Sequence, residues 1–150
     1  MALKNIRHIG IVTNNLKKSL FFYQKIFKLK IFKTITEDHF SLAKVMGFDR
    51  VKIKTIKLKS KKNNTMVELL YWKIPKSNKK QNFKNLNDVG LTHFAITVDN
   101  LDKTYQLPKE NNIKVLSKPY FGARKKVKYV FCKSPENVFI EIVEEIKQGE

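Results

Sequence analysis

Ile6-Arg7-His8-Ile9-Gly10-Ile11-Val12-Thr13-Asn14-Asn15-Leu16 and Leu91-Thr92-His93-Phe94-Ala95-Ile96-Thr97-Val98-Asp99-Asn100-Leu101 are the two stretches that decide the fold. Each reads as a short apolar strand carrying one histidine, then a polar turn ending in an N-capping Asn, then the start of a helix. A step of 85 residues carries His8 onto His93, Asn15 onto Asn100, Leu16 onto Leu101 and Lys18 onto Lys103. Towards the end of each half the step is 73, which carries Asn64 onto Asn137, Glu68 onto Glu141, and Val67 and Leu69 onto Ile140 and Ile142. An extra helix in the first half, around Asp38 to Met46, accounts for the 12-residue difference between these two steps. The chain therefore reads as an internal repeat of β-α-β-β-β units.

Working outward, Ile6 to Val12 is expected to be a strand buried on both faces. Leu16, Leu20, Tyr23 and Phe27 recur at helical spacing, with Ser19, Phe22 and Ile26 on the neighbouring stripe. Leu29 to Ile35 alternates as a strand, and Asp38 to Met46 reads as a short helix closed by Gly47. Val51 to Lys59 alternates Lys with apolar residues but changes phase at Thr55-Ile56, which is read as a bulge. Lys61 to Asn64 forms a turn, Thr65 to Trp72 a strand, and Lys73 to Asp88 a polar linker. Pro108 cannot donate to Thr104 and is expected to end or bend the second helix. The organisation expected is one domain over 1–150, with a first module at 1–74, a linker at 75–89 and a second module at 90–146.

The chain has 150 residues, enough for one ordinary domain, and its 42% hydrophobic content suffices for a core. A formal charge of +18 suggests nucleic acid, but Arg7, Arg50 and Arg124 are its only arginines. The remaining cations are lysines scattered through every segment, which reads as solvated surface without specific nucleic-acid recognition. No apolar run is long enough for a membrane span, and Met1 to Asn5 has no apolar signal-peptide core. Cys132 stands alone, so no intrachain disulfide forms, and a reducing cytoplasm fits.

His8, Glu68, His93 and Glu141 fall at equivalent places, one His and one Glu in each repeat, on strands among apolar residues. A carboxylate in such surroundings costs several kcal/mol unless it is paired or metal-bound. Two imidazoles and two carboxylates suit a first-row divalent ion, so all four are expected metal ligands.

Ser134-Pro135-Glu136-Asn137-Val138-Phe139-Ile140-Glu141-Ile142-Val143-Glu144 resembles the terminal motif of the vicinal oxygen chelate superfamily, the glyoxalase, bleomycin-resistance and extradiol-dioxygenase group. Leu16-Lys17-Lys18-Ser19-Leu20-Phe21-Phe22-Tyr23 is similar to that family's first helix start. Asn137 replaces the family's glycine, as the residue next most tolerant of a left-handed turn, and Val138 replaces its asparagine. The resemblance implies an α+β fold of two βαβββ modules forming a curved half-barrel sheet, and a homodimer. It also implies a divalent metal (Ni, Co, Zn, Mn or Fe) on His8, Glu68, His93 and Glu141, the His/Glu/His/Glu set of bacterial-type glyoxalase I.

The implied activity is that of a metal-dependent, lactoylglutathione lyase-like lyase or isomerase acting on a small oxygenated, anionic molecule. Two substrate oxygens chelate the ion, which as a Lewis acid acidifies a neighbouring C–H, and Glu141 or Glu68 is the catalytic carboxylate that moves the proton. Rival readings are a methylmalonyl-CoA epimerase-like isomerase, an extradiol-type dioxygenase and a metal-free drug-binding protein. Glu68 disfavours the first two, because that position is commonly Gln in the epimerases and carries no carboxylate ligand in the dioxygenases. Val12 stands where glyoxalase I usually has an arginine for the glutathione carboxylate. Arg124 and Lys126, within a basic run with Lys125 and Lys128, are the expected contacts for an anionic substrate tail.

Overall fold

Two asparagines set the start of the main helices. The side-chain oxygen of Asn15 accepts from the Lys18 backbone N–H at 3.0 Å, and that of Asn100 accepts from the Lys103 N–H at 2.8 Å. The repeat step of 85 thus appears as the same N-cap made twice. The computed structural model describes residues 4–62, 64–78 and 85–146. Asn63 and residues 79–84 of the expected turn and linker lie outside them. The chain divides into two compact units, Met1–Lys80 and Gln81–Glu150.

The first unit runs β1 (His8–Val12), α1 (Leu16–Phe21), a π-helical turn (Phe22–Ile26), β2 (Lys30–Glu37), α2 (Phe40–Met46), β3 (Lys52–Lys59) and β4 (Met66–Ile74). Its strands form one sheet in the order β1-β4-β3-β2, with β1 parallel to β4 and the other pairs antiparallel. The second unit runs β5 (His93–Thr97), α3 (Leu101–Glu110), β6 (Tyr120–Phe121), β7 (Val127–Lys133) and β8 (Phe139–Glu145). Its sheet has the order β5-β8-β7-β6, again with the first pair parallel. Two four-stranded mixed sheets with few helices make this an α+β protein.

Side-chain burial follows the pleat. In the first unit Ile11, Ile56, Leu58, Val67 and Leu69 are buried, as are Phe22, Tyr23 and Ile26 after α1. In the second unit Val130, Cys132, Ile140 and Ile142 are buried with Leu101 and Pro108 of α3. Two acidic contacts tie α3 to its sheet. A Glu144 oxygen accepts from the Leu101 N–H at 2.8 Å, and both Asp102 oxygens accept from Lys128 Nζ, at 2.6 and 2.7 Å. The negative charge of Glu144 at a helix N-terminus also suits the helix dipole.

α2 has no counterpart in the second unit and is closed as the sequence suggests. Gly47 takes φ 75°, and His39 begins the helix by accepting from the Leu42 N–H through Nδ1 at 3.2 Å. Ala43 of α2 packs with Val51 and Ile53, against Leu42, Leu70 and Trp72. Leu70 and Trp72 lie two and four residues beyond Glu68 on β4, so α2 covers one end of the sheet face that carries Glu68.

Four expectations need correction. β1 is not buried on both faces: Ile11 is buried, whereas His8, Gly10 and Val12 are exposed. The buried stripe of the first helical segment is Ser19, Phe22, Tyr23 and Ile26, while Leu16, Leu20 and Phe27 are half-buried, so the stripe centred on Ser19, Phe22 and Ile26 faces the core. Thr55 and Ile56 keep continuous register with both neighbouring strands, and the irregularities fall at Ile31/Lys33 and Lys52/Ile53 instead. Thr55 and Ile56 are both buried because each face of β3 is covered, which the alternation alone misreads as a slip. Finally, α3 continues two residues past Pro108. The missing N–H falls in the last turn, and Asn111 and Ile113 close the end on the Leu107 and Pro108 carbonyls.

Candidate functional site

The parallel pairing of first and last strands places one His–Glu pair in each unit. His8 lies opposite Met66 and Gly10 opposite Glu68; His93 lies opposite Phe139 and Ala95 opposite Glu141. In both sheets the glutamate is therefore two residues along from the point facing the histidine, on the same face by the period of the pleat. His8 Nε2 is 3.6 Å from Glu68 Oε2, and His93 Nε2 is 3.7 Å from Glu141 Oε2. Both histidines begin their strands and are exposed, and both glutamates are more enclosed than their partners.

The surroundings of the pairs differ. In the second unit the His93 ring meets Phe131 edge-on, with centroids 5.4 Å apart, and Phe131 meets Tyr129 edge-on at 6.5 Å. The Thr92 hydroxyl lies 3.2 Å from His93 Nδ1 and orients the ring with Nε2 towards Glu141. In the first unit Lys57 lies directly opposite Glu68 across β3 and β4, and its Nζ is 3.0 Å from Glu68 Oε1. Glu68 thus has the His8 ring near one oxygen and an ammonium at the other. Phe131 occupies the corresponding place opposite Glu141.

The donor chemistry of the pairs suits a divalent ion. Two ligands about 2.1 Å from one ion stand about 3.0–3.4 Å apart at right or tetrahedral angles, a few tenths of an ångström closer than these pairs. His93–Glu141 can close that gap by a small side-chain rotation, whereas Glu68 must also part from Lys57. Among the described residues no group of three or more His, Cys, Asp or Glu is arranged as a metal-holding cluster, so the pairs stand as pairs.

The expected substrate contacts lie elsewhere. Arg124 and Lys126 are exposed between β6 and β7, beside Val127, which pairs with Glu145. Phe131, opposite Glu141, is four residues further along β7, about 13 Å at about 3.3 Å per residue. The structure does not bring them to the His93–Glu141 pair, and Lys128 is held by Asp102. Lys57 is the residue that the sequence reading passed over. Lys57 and Glu68 are equidistant from the middle of the loop joining their strands, so counting outward from that loop finds the pair. Away from the pairs, His39 caps α2 and lies 3.9 Å from Glu37, whose carboxylate accepts from Thr55 Oγ1 at 3.5 Å. Burial pushes the Cys132 thiol up to about 12, which leaves it an inert core residue.

The sequence profile of the Glyoxalase/Bleomycin resistance protein/Dioxygenase superfamily matches residues 5–142. Among solved structures, a glyoxalase family protein from Bacillus cereus superposes with a TM-score of 0.87 at 14% identity, covering 98% of this chain and 97% of that one. A glyoxalase/dioxygenase from Nostoc punctiforme superposes with a TM-score of 0.66 at 18% identity, covering 96% and 92%. The trypanothione-dependent glyoxalase I of Leishmania major does so with a TM-score of 0.63 at 18% identity, covering 95% and 88%. At these identities the likeness is one of fold. No curated protein matches the sequence.

Proposed function

The chain belongs to the Glyoxalase/Bleomycin resistance protein/Dioxygenase superfamily, and on that premise we propose that it is a metal-dependent lyase or isomerase of the glyoxalase I type, acting on a small oxygenated anionic substrate. The observation that carries this reading is the same His–Glu pair made twice, at 3.6 and 3.7 Å, from the same strand positions of the two units. Structural histidines have no need to repeat with a glutamate partner at matched register.

A divalent ion, when bound, supplies the Lewis acidity that makes a C–H beside a chelated oxygen removable. His8 and His93 offer Nε2 as ligands. For His93 this requires the ring proton on Nδ1, where the Thr92 hydroxyl at 3.2 Å can accept it and hold the ring's orientation. Glu141 moves the substrate proton. Phe131 rather than a lysine lies opposite it, and among the described residues no lysine pairs with its carboxylate, whereas Lys57 engages Oε1 of Glu68. Phe131 lies directly opposite Glu141 with Tyr129 edge-on to it, so aromatic rings rather than charges line this side of the pair. Val12 ends β1 without a cationic group, so a glutathione carboxylate would need another partner.

The test is a screen of purified protein with added Ni, Co, Zn, Mn or Fe against hemithioacetals of several thiols, acyl-CoA epimers and catechols. Turnover that depends on metal and is abolished by Glu141→Gln is expected. Turnover that persists in a chelator, or in the Glu141→Gln variant, contradicts the reading. A second reading, a metal-free binding protein, draws on the Lys57–Glu68 contact, because an ammonium already neutralises one carboxylate of the set. Ligand binding unaffected by chelator, with no metal-dependent turnover, is the outcome it requires.

A further inference from the structure

We propose that Lys57 is a built-in counter-cation that competes with a divalent ion for Glu68, so that the His8–Glu68 pair is held closed while His93–Glu141 is open. This rests on reading the two His–Glu pairs as ligand sets. It deepens that reading by assigning control of the first pair to one residue outside it.

Three observations carry the inference. Lys57 lies directly opposite Glu68 on adjacent antiparallel strands, and its ammonium is 3.0 Å from Oε1. Both side chains are largely enclosed, at 21% and 11% exposure, so solvent screens the attraction only in part. The repeat also provides an internal comparison: where Glu68 faces Lys57, Glu141 faces Phe131. At the position directly opposite the glutamate the units therefore differ in charge, a lysine in the first and a phenylalanine in the second.

A divalent ion and an ammonium cannot share one carboxylate without strong mutual repulsion. To bind at Glu68 the ion must displace Lys57 from Oε1, or bind at Oε2 with a positive charge a few ångströms away. Either route weakens the first pair's hold on the ion. The displaced ammonium would also stand beside Lys33, which is directly opposite it on β2, a like-charge neighbour that makes displacement less favourable still.

The experiment is a calorimetric titration of the full chain with Ni²⁺ at fixed pH and ionic strength. It compares the wild type with Lys57→Met, which removes the charge but keeps the stem, and Lys57→Arg, which keeps the charge. Thermal melts of the metal-free proteins verify that each variant is folded. If Lys57→Met does not fold, Lys57→Gln takes its place. Lys57→Met is expected to bind Ni²⁺ at least about tenfold more tightly than wild type, the scale of one charge removed from beside a divalent ion, while Lys57→Arg shows no gain. Equal affinities for wild type and Lys57→Met overturn the inference. Binding only in Lys57→Met supports it while overturning the wild type as a metal enzyme. Absence of binding in all three overturns both.

Discussion

Lys57 and Phe131 occupy matching places in the two sheets, each directly opposite the glutamate of its unit, Glu68 on β4 and Glu141 on β8. One glutamate is therefore ion-paired to a fixed cation and the other is edged by an aromatic ring. The same substitution at the two glutamates must have unequal effects on the metal-free protein. Glu68→Gln leaves the Lys57 ammonium enclosed without its counter-charge and is expected to cost about 2 kcal/mol or more. Glu141→Gln strands no lysine among the described residues and is expected to cost less than about 1 kcal/mol. Urea unfolding in the presence of a chelator measures both.

The twin N-caps make a second comparison. Asn15→Ala and Asn100→Ala each remove an acceptor from the first turn of a helix, at Lys18 and Lys103. Each substitution is expected to destabilise the chain by about 1 kcal/mol, and Asp at either position to retain most of the stability, by chemical denaturation.

The turn before β8 places Asn137 at φ 65°, where the family motif has glycine. Ser134 closes this turn: its hydroxyl accepts from the Glu136 and Val138 N–H groups, at 3.2 and 3.3 Å. Asn137→Gly is expected to be neutral within about 0.5 kcal/mol, and Asn137→Ala to cost about 1 kcal/mol. Melting curves of the two variants distinguish a conformational requirement from a side-chain contact.

Cys132 makes the pH behaviour of one core residue predictable. Its thiol is pushed up to about 12 by burial, against 9.0 for the free group. Between those values the unfolded chain releases a proton that the folded chain retains, so this residue lowers stability progressively as the pH rises from about 9 to about 12. Cys132→Ala is expected to flatten that part of the stability–pH profile relative to wild type. At pH 8 the native thiol is expected to resist an aromatic disulfide reagent and to react fully in denaturant.

Much of this architecture was legible in the sequence because the repeat keeps chemistry-bearing residues in step. His8 with His93 and Asn15 with Asn100 fix the first strand and helix of each unit, and Glu68 with Glu141 fixes the last strand. The shift between the two steps located α2, closed by Gly47. What was not legible depends on neighbours from elsewhere in the chain. Thr55 and Ile56 look like a bulge until both faces of β3 are seen to be covered. Lys57 passed as one of many surface lysines because its significance lies in register with Glu68, not in its local pattern. Conversely, the run at Arg124 to Lys128 drew notice by charge density, yet it lies at the far end of β7 from Phe131.

The central claim is that the His–Glu pairs bind a divalent ion, and metal content measures it most directly. Elemental analysis of wild-type protein after Ni²⁺ loading and desalting is expected to find stoichiometric metal, and to find it lost in both His93→Ala and Glu141→Gln. Wild-type protein that retains no metal, or variants that retain as much as wild type, would contradict the account.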